Sequence, residues 1–396
     1  MTKNRKLFLL CALSLNVAVS SLLVAQLITF GERADRRSHR LRFSEWNYAE
    51  KLADIKERLE RFHGAAPERF SRGVYLTATS AANDAKLNDT FASLRDAGGS
   101  AIVIDVKGSN VYFMPMTSPL VEEFKLHRPM YDLPEIVKLA HEHGVYVIAR
   151  FIVSKDPLLS GAHPDFRITS PKTGARIGET WVDPSHPTVL EYNKQILRDV
   201  LAAGVDEVNF DYIRFPTEWS PQQIGMTREE KTAKVEAFIR MARGLIDSEA
   251  PSVRLGISTY AIIGWGYDVN VSVLGQDVAR FAPLVDVISP MAYPATFAEG
   301  AYYNPAKHPI SRMYYLVYQT LKGYAEAIGP EQAHKLRPWI QGYGITVKNA
   351  TDQIQAVYDA GGCGFQFWNA GNNYSPVYQA IAIKRELPAH CVGVHE

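Results

Sequence analysis

From about residue 71 to 392 the chain predicts an α/β fold of (β/α)8 type, a TIM barrel, preceded by an N-terminal transmembrane helix and a helical stalk. Three observations carry that prediction. Eight short runs rich in β-branched and aromatic residues recur along this stretch, amphipathic helical segments lie between them, and no glycine-rich phosphate loop follows the first run. Strands that alternate with helices pair in parallel through right-handed crossovers, and eight such units close on themselves. The rival architecture is an open doubly wound sheet. It lacks support, because "YLTATSAAND" after the first strand holds no glycine.

The predicted strands are "RGVYLTA" (72–78), "AIVIDVKG" (101–108), "VYVIARFIV" (145–153), "EVNFDYIRFP" (207–216), "RLGISTYA" (254–261), "DVISPMAYP" (286–294), "RPWIQGYG" (337–344) and "GFQFWNA" (364–370). Helical stretches between them include "LNDTFASLRDAG", "LPEIVKLAHEHG", "VLEYNKQILRDVLAAG", "REEKTAKVEAFIRMARGLIDS" and "ATDQIQAVYDAG". Several end in glycine, as a left-handed C-cap requires.

Composition narrows the function classes. The 396 residues are 11% aromatic and 21% charged, which describes an ordered globular chain, and the net charge of +1 leaves no cationic excess for a phosphate backbone. No nucleic-acid partner is expected. Residues 1–70 nevertheless hold 13 Lys or Arg against 8 Asp or Glu, and this basic excess flanks "LFLLCALSLNVAVSSLLVAQLITF", Leu7 to Phe30, which is free of charge. Its 24 residues are long enough to span a hydrocarbon core of about 30 Å at about 1.5 Å per residue. A cleavable signal peptide ending near Ala18 and Ser20 is the competing reading, with a shorter apolar region than this one. Residues 1–30 are therefore expected to be a signal anchor. Lys3, Arg5 and Lys6 favour an inside N-terminus, against five arginines between Arg33 and Arg42, so the following domain is expected to be exported, periplasmic or extracellular, on a single-pass anchor. Residues 31–70, with Leu52, Ile55, Leu59 and Phe62 at helical spacing, read as a juxtamembrane helical stalk, and residues 71–392 as the barrel. Cys363 and Cys391 can pair in an oxidising compartment, but two thiols do not dictate a bond.

A barrel predicts where chemistry sits: at the C-terminal ends of the strands and in the loops that follow. Asp211 lies near the end of the fourth strand, in phase with Asn209 and pointing into the mouth. In the second strand Val103, Asp105 and Lys107 share a face under the two-residue period, so Asp105 and Lys107 are expected in the same mouth. The third strand adds Arg150, the sixth Tyr293, the seventh Gln341 and the eighth Trp368, while the loop after the fourth offers Arg214 and Glu218. Carboxylates with basic partners and aromatic faces suit a sugar. Hydrolysing a glycosidic bond needs one carboxyl as acid and a second as nucleophile or as base for water. Asp211 is the principal carboxylate in this reading, Asp105 its acid/base partner and Glu218 the reserve; Lys107, Arg150, Arg214, Tyr293, Gln341 and Trp368 bind substrate or tune the carboxylates.

The runs "RGVYLTA", "IDVKG", "WVDP", "GVDEVNFDYIRFP" and "SPMAYP" resemble the signature segments of a bacterial family of glycosyl-hydrolase-like domains, long classed as of unknown function. The resemblance spans most of Arg72 to about Tyr378 and leaves out the anchor and stalk. It implies a (β/α)8 glycoside-hydrolase-like domain and says little of substrate, because fold alone does not carry activity.

Plainer readings stand beside these. Asp211 can be a structural carboxylate locked to Arg214 or Arg150, and Asp105 can form an internal ion pair with Lys107. Glu218 can be a solvated loop residue, and Asp183 in "WVDPSHP" suits a turn or helix cap better than catalysis. A non-catalytic carbohydrate-binding barrel is the main alternative function. A metal-dependent polysaccharide deacetylase is the lesser one, since His141, His143, His163 and His186 show no metal-ligand spacing; neither metal nor cofactor is expected. The expected partners are a polysaccharide or oligosaccharide and, through residues 1–30, a membrane.

Overall fold

A computed structural model describes residues 67–392. The predicted anchor, Leu7 to Phe30, and all but the last four residues of the predicted stalk lie outside the described residues, among which no helix is long and apolar enough to cross a membrane.

Eight parallel strands close a barrel: β1 (Arg72–Leu76), β2 (Ala101–Lys107), β3 (Tyr146–Ile152), β4 (Glu207–Asp211), β5 (Arg254–Tyr260), β6 (Val287–Ala292), β7 (Trp339–Gln341) and β8 (Phe365–Trp368). Closure is explicit, since β1 pairs in parallel with both β2 and β8. Each strand is followed by a helix on the outside: α1 (Asp84–Ala97), α2 (Leu133–Glu142), α3 (Pro187–Ala202), α4 (Arg228–Glu249), α5 (Val278–Phe281), α6 (Arg312–Ile328), α7 (Val347–Asp359) and α8 (Ser375–Ile383). The predicted glycine stops hold, for Gly98, Gly144, Gly204 and Gly361 all have positive φ. Helix starts are equally legible: Asn83 caps α1, Asp132 caps α2, and Thr227 with Glu230 closes a capping box on α4.

Alternation along the strands sorts residues into two layers. In β2, Ile102, Ile104 and Val106 face the helices, while Ala101 and Val103 join Tyr75, Ile148 and Trp339 inside the barrel. In β4, Val208 and Phe210 face outward, and Glu207, Asn209 and Asp211 point inward at three successive levels. At the floor Glu207 receives both terminal nitrogens of Arg337, at 2.6 and 2.9 Å. One level up, Asn209 accepts from Ser258, which also accepts from the Trp339 indole. Gly256 makes room for these two levels, because a Cβ there would meet the Glu207 carboxylate and the Asn209 amide at 2.6 and 2.8 Å. The interior is thus polar but internally hydrogen-bonded, which makes burying it tolerable.

Three features were not predicted. The short strands Val111–Met114 and His127–Asp132 extend the sheet beside β2, and a hairpin of Arg167–Thr169 with Arg176–Val182 decorates the loop after β3. The third is a disulfide between Cys363, just before β8, and Cys391 in the last described helix, a pairing the sequence had left undecided.

Candidate active site at the barrel mouth

The third inward level of β4 opens the site. Asp105 pairs in register with Arg150 on the neighbouring strand, and Arg150 with Asn209, so Asp211 stands two residues beyond on the far side of Arg150. The guanidinium spans the gap. Its Nη1 donates to Asp105 Oδ1 at 2.6 Å, and its Nη2 and Nε donate to Asp211 Oδ2 at 2.6 and 2.9 Å. Because one rigid planar fork touches both carboxylates, the two bonded oxygens are within about 7.5 Å of each other. That separation lies within the reach of paired glycosidase carboxylates.

The remaining oxygens are also occupied. Tyr75 donates its phenol to Asp105 Oδ2 at 2.5 Å, and the Tyr212 backbone N–H donates to Asp211 Oδ1 at 2.6 Å. Tyr212 can do so because it takes a left-handed φ of 52°, a conformation disfavoured for a tyrosine and found mostly where function or tight geometry demands it. Burial alone would push the Arg150 guanidinium down in pKa, but Asp105 and Asp211 outweigh it and hold it well above its ordinary value. Burial, and then the charge of Asp105, push the Tyr75 phenol up, so Tyr75 stays a proton donor. Burial and the charge of Asp211 do the same to Tyr293.

One wall of the mouth is aromatic. Trp368 lies 6.2 Å from Tyr75 in a near-parallel stack, 5.8 Å from Tyr293 and 5.5 Å from Tyr343. Trp368 and Tyr293 are half-buried, leaving ring surface for a ligand. On the other side Arg214 is stacked among Trp181, Tyr212 and Tyr260, and Lys155 borders Trp181 and Tyr212. Glu218 is exposed in the loop beyond, 4.0 Å from Lys155.

Two predicted site residues are engaged within the protein instead. A bulge between Asp105 and Lys107 shifts the register of β2 by one residue, so Lys107 leaves the face it shares with Asp105 on paper. Its ammonium is fully buried instead, paired with Asp156 at 3.0 Å and donating to the Ile152 carbonyl, between Phe151 and Tyr192. Gln341 is at the mouth but spent: its side chain accepts from Ala295 N–H and donates to the Tyr343 carbonyl. It positions loops and has little left for a ligand. Asp183 accepts from Ser185 N–H and pairs with Lys234, the turn role its position suggested. His141 bonds Asp206 on the outside of the barrel and His163 stacks on Phe166, so these histidines serve separate neighbourhoods. Sequence reasoning passed over Tyr75, Tyr131, Trp181 and Tyr260. Tyr75 and Tyr260 were findable as strand-end aromatics; Tyr131, which donates to the Asp105 carbonyl at 2.5 Å, comes from the unpredicted edge strand His127–Asp132.

A cavity of about 100 Å³ opens at the opposite end, lined by Glu68, His334, Lys335 and Arg337 among others. Barrel chemistry belongs at the C-terminal face, and Arg337 is already committed to Glu207.

The sequence matches, over residues 73–374, the family described as "Putative glycosyl hydrolase domain". No curated protein sequence matches it. Among solved structures, a β-galactosidase from the psychrophilic Marinomonas ef1 is similar at a TM-score of 0.55 and 11% identity, covering 80% of this chain and 59% of that one. The catalytic domain of β-amylase from Paenibacillus polymyxa is similar at 0.53 and 10% identity, covering 80% and 99%. An endo-β-1,4-mannanase from Thermotoga petrophila is similar at 0.51 and 14% identity, covering 80% and 76%. At these identities the likeness is one of fold.

Proposed function

The chain belongs to this glycosyl hydrolase domain family, and from that premise we propose that it hydrolyses glycosidic bonds in an extracellular or cell-envelope polysaccharide, with Asp211 as the principal carboxylate. The observation that carries the reading is the pair Asp105 and Asp211, clamped by one guanidinium at the C-terminal lip beside the Tyr293 and Trp368 wall. Aromatic faces stack on the C–H surface of a pyranose, and Asp211, held from both sides, is aimed without reorganisation cost. Asp211 then attacks the anomeric carbon or draws a proton from the attacking water.

The leaving oxygen needs a proton. Asp105 is the donor by proximity, with Tyr75 behind it; Glu218 is the donor by availability, because it alone of the three carries no strong hydrogen bond. The two separate by leaving group, since a glycoside that departs without protonation no longer needs the acid. Whichever of Asp105→Asn and Glu218→Gln regains activity on an activated aryl glycoside marks the donor.

Residues 7–30 would hold the domain on the outer side of a membrane, and the Cys363–Cys391 bond suits an oxidising compartment. The test of the main reading is product release from envelope and biofilm polysaccharides by the chain and by Asp211→Asn. Loss of about 10²–10⁴-fold is expected in the variant. Undiminished release by the variant would overturn the assignment.

A non-catalytic carbohydrate-binding barrel is favoured by one observation: all four oxygens of Asp105 and Asp211 already accept internal hydrogen bonds. Glycan binding without product, equal in both proteins, would establish that reading.

A further inference from the structure

Arg214 is the second arginine that folding buries, and it is held differently from the first. Arg337 meets the Glu207 carboxylate with two nitrogens, whereas Arg214, only 4% exposed, has no carboxylate partner among the described residues. Its contacts are the Phe215 carbonyl at 2.8 Å, the Tyr260 hydroxyl at 3.3 Å, and the faces of Tyr260, Trp181 and Tyr212 at 4.3, 4.8 and 5.4 Å from its Cζ. A guanidinium carries five N–H donors, and these contacts use two of them. Aromatic faces offset part of the desolvation cost of such a charge, but they accept none of its remaining hydrogen bonds.

One free donor reaches solvent. Arg337 Nε is sealed from solvent without a partner, whereas Arg214 Nε, which has no hydrogen-bond partner either, is not sealed and keeps contact with solvent. The direction is set by β5: Ser258 lies inside the barrel against Asn209 and Trp339, and Tyr260, two residues on, therefore sits on the inner face at the lip. Arg214 bonds that hydroxyl, and follows Asp211 by three residues. Lys155 adds a second cation on the same two rings, 5.2 Å from Tyr212 and 5.9 Å from Trp181.

We propose that Arg214, in its box of Trp181, Tyr212 and Tyr260, is a subsite for an anionic substituent on a sugar, a carboxylate or a sulfate ester, so that the glycan taken by this mouth is acidic. The proposal rests on reading the mouth as a sugar site and deepens it to a substrate class. An anion supplies the acceptors that the rings cannot, and a flat guanidinium presents them with paired parallel donors. Arg214 is a binding residue here and takes no part in proton transfer.

The experiment titrates the full chain, carrying Asp211→Asn to stop turnover, with glucuronate, galacturonate, N-acetylmuramate and glucose 6-sulfate, each against its uncharged parent sugar, by the fluorescence of Trp181 and its neighbours. At least one anionic sugar should bind about tenfold or more tightly than its parent, and Arg214→Gln should erase that preference. The carboxylate sugars and the sulfate ester tell the two anion sources apart. Equal binding of every charged and neutral pair would overturn the proposal, as would a preference that survives Arg214→Gln. Should Arg214→Gln fail to fold, the charged-to-neutral comparison still decides it with Arg214 intact. Preference for the anion without hydrolysis of any glycan would leave the subsite standing while the catalytic reading fell.

Discussion

Replacing Arg150 by methionine removes the one cation that touches both Asp105 and Asp211. Its side chain is 11% exposed, and those of the two aspartates 15% and 7%, so water can compensate little of the lost charge. Breaking a buried ion pair from one side costs about 3–5 kcal/mol, because the partner stays buried and unpaired. Arg150→Met should cost that much, read as a lower urea midpoint at unchanged slope. The sign with pH follows from the arginine itself: its pKa is raised in the fold, so its contribution is fully present below the ordinary arginine range and is lost only as pH rises from there through the still higher folded value. Titration of Arg150 therefore adds no pH dependence between about pH 6 and 9. The decisive measurement is a double-mutant cycle with Asp211→Asn. If one guanidinium clamps the carboxylate, the double variant should be more stable than the sum of single losses predicts, by about 1–3 kcal/mol, and that coupling should survive salt that screens surface pairs. Additivity within about 0.5 kcal/mol, or a single-site loss under about 1 kcal/mol, would show an exposed, screened contact and refute the clamp.

Three further outcomes follow from the same structure. Lys107→Met should destabilise by about 3–5 kcal/mol, since it leaves Asp156 buried without its cation, yet leave glycan binding by the folded protein unchanged; a binding defect would return Lys107 to the mouth. Removing the Cys363–Cys391 bond, which closes a loop of 28 residues, should cost about 3–4 kcal/mol in the chain-entropy picture, measured by denaturation with and without reductant. Burial raises the Asp277 carboxyl, but hydrogen bonds from Tyr267 and Arg228 outweigh it and lower its pKa overall, so the stability it contributes is present above about pH 3.9 and lost as pH falls through the lower folded value. Asp277→Asn should accordingly be less stable than the parent chain at pH 7 by about 1–2 kcal/mol, with the gap closing in strong acid.

The barrel and the inward position of Asp211 at its mouth were legible because they depend on short-range regularities. A two-residue period places Glu207, Asn209 and Asp211 on one face whatever surrounds them, and the left-handed stops at Gly98 and Gly361 are local chemistry. The same period misplaced Lys107, because a bulge of one residue reverses every side chain beyond it and leaves no compositional mark in "IDVKG". Gln341 failed for another reason: its position was right, but whether an amide is free depends on Ala295 and Tyr343, which only the folded loops bring to it. The box around Arg214 draws on strands and loops from residue 181 to 260, a contact set that no local pattern encodes.

The two ends of the barrel show why an arginine–carboxylate pair is not by itself a site. At the floor, Arg337 and Glu207 are sealed, and Arg337 also donates to the Glu68 carbonyl and the Ser71 hydroxyl, so every strong contact is made within the protein. At the mouth, Arg150 and Asp105 retain exposure, the neighbours are half-buried aromatic rings, and Tyr212 is held in a left-handed conformation to aim its N–H at Asp211. Strain of that kind costs about 1–3 kcal/mol and persists where surrounding contacts enforce it. The floor pair needs no such backbone distortion. Glu207→Gln should therefore lower stability while sparing affinity, whereas Asp211→Asn, at the lip where Arg150 still keeps Asp105, should cost less stability and remove turnover.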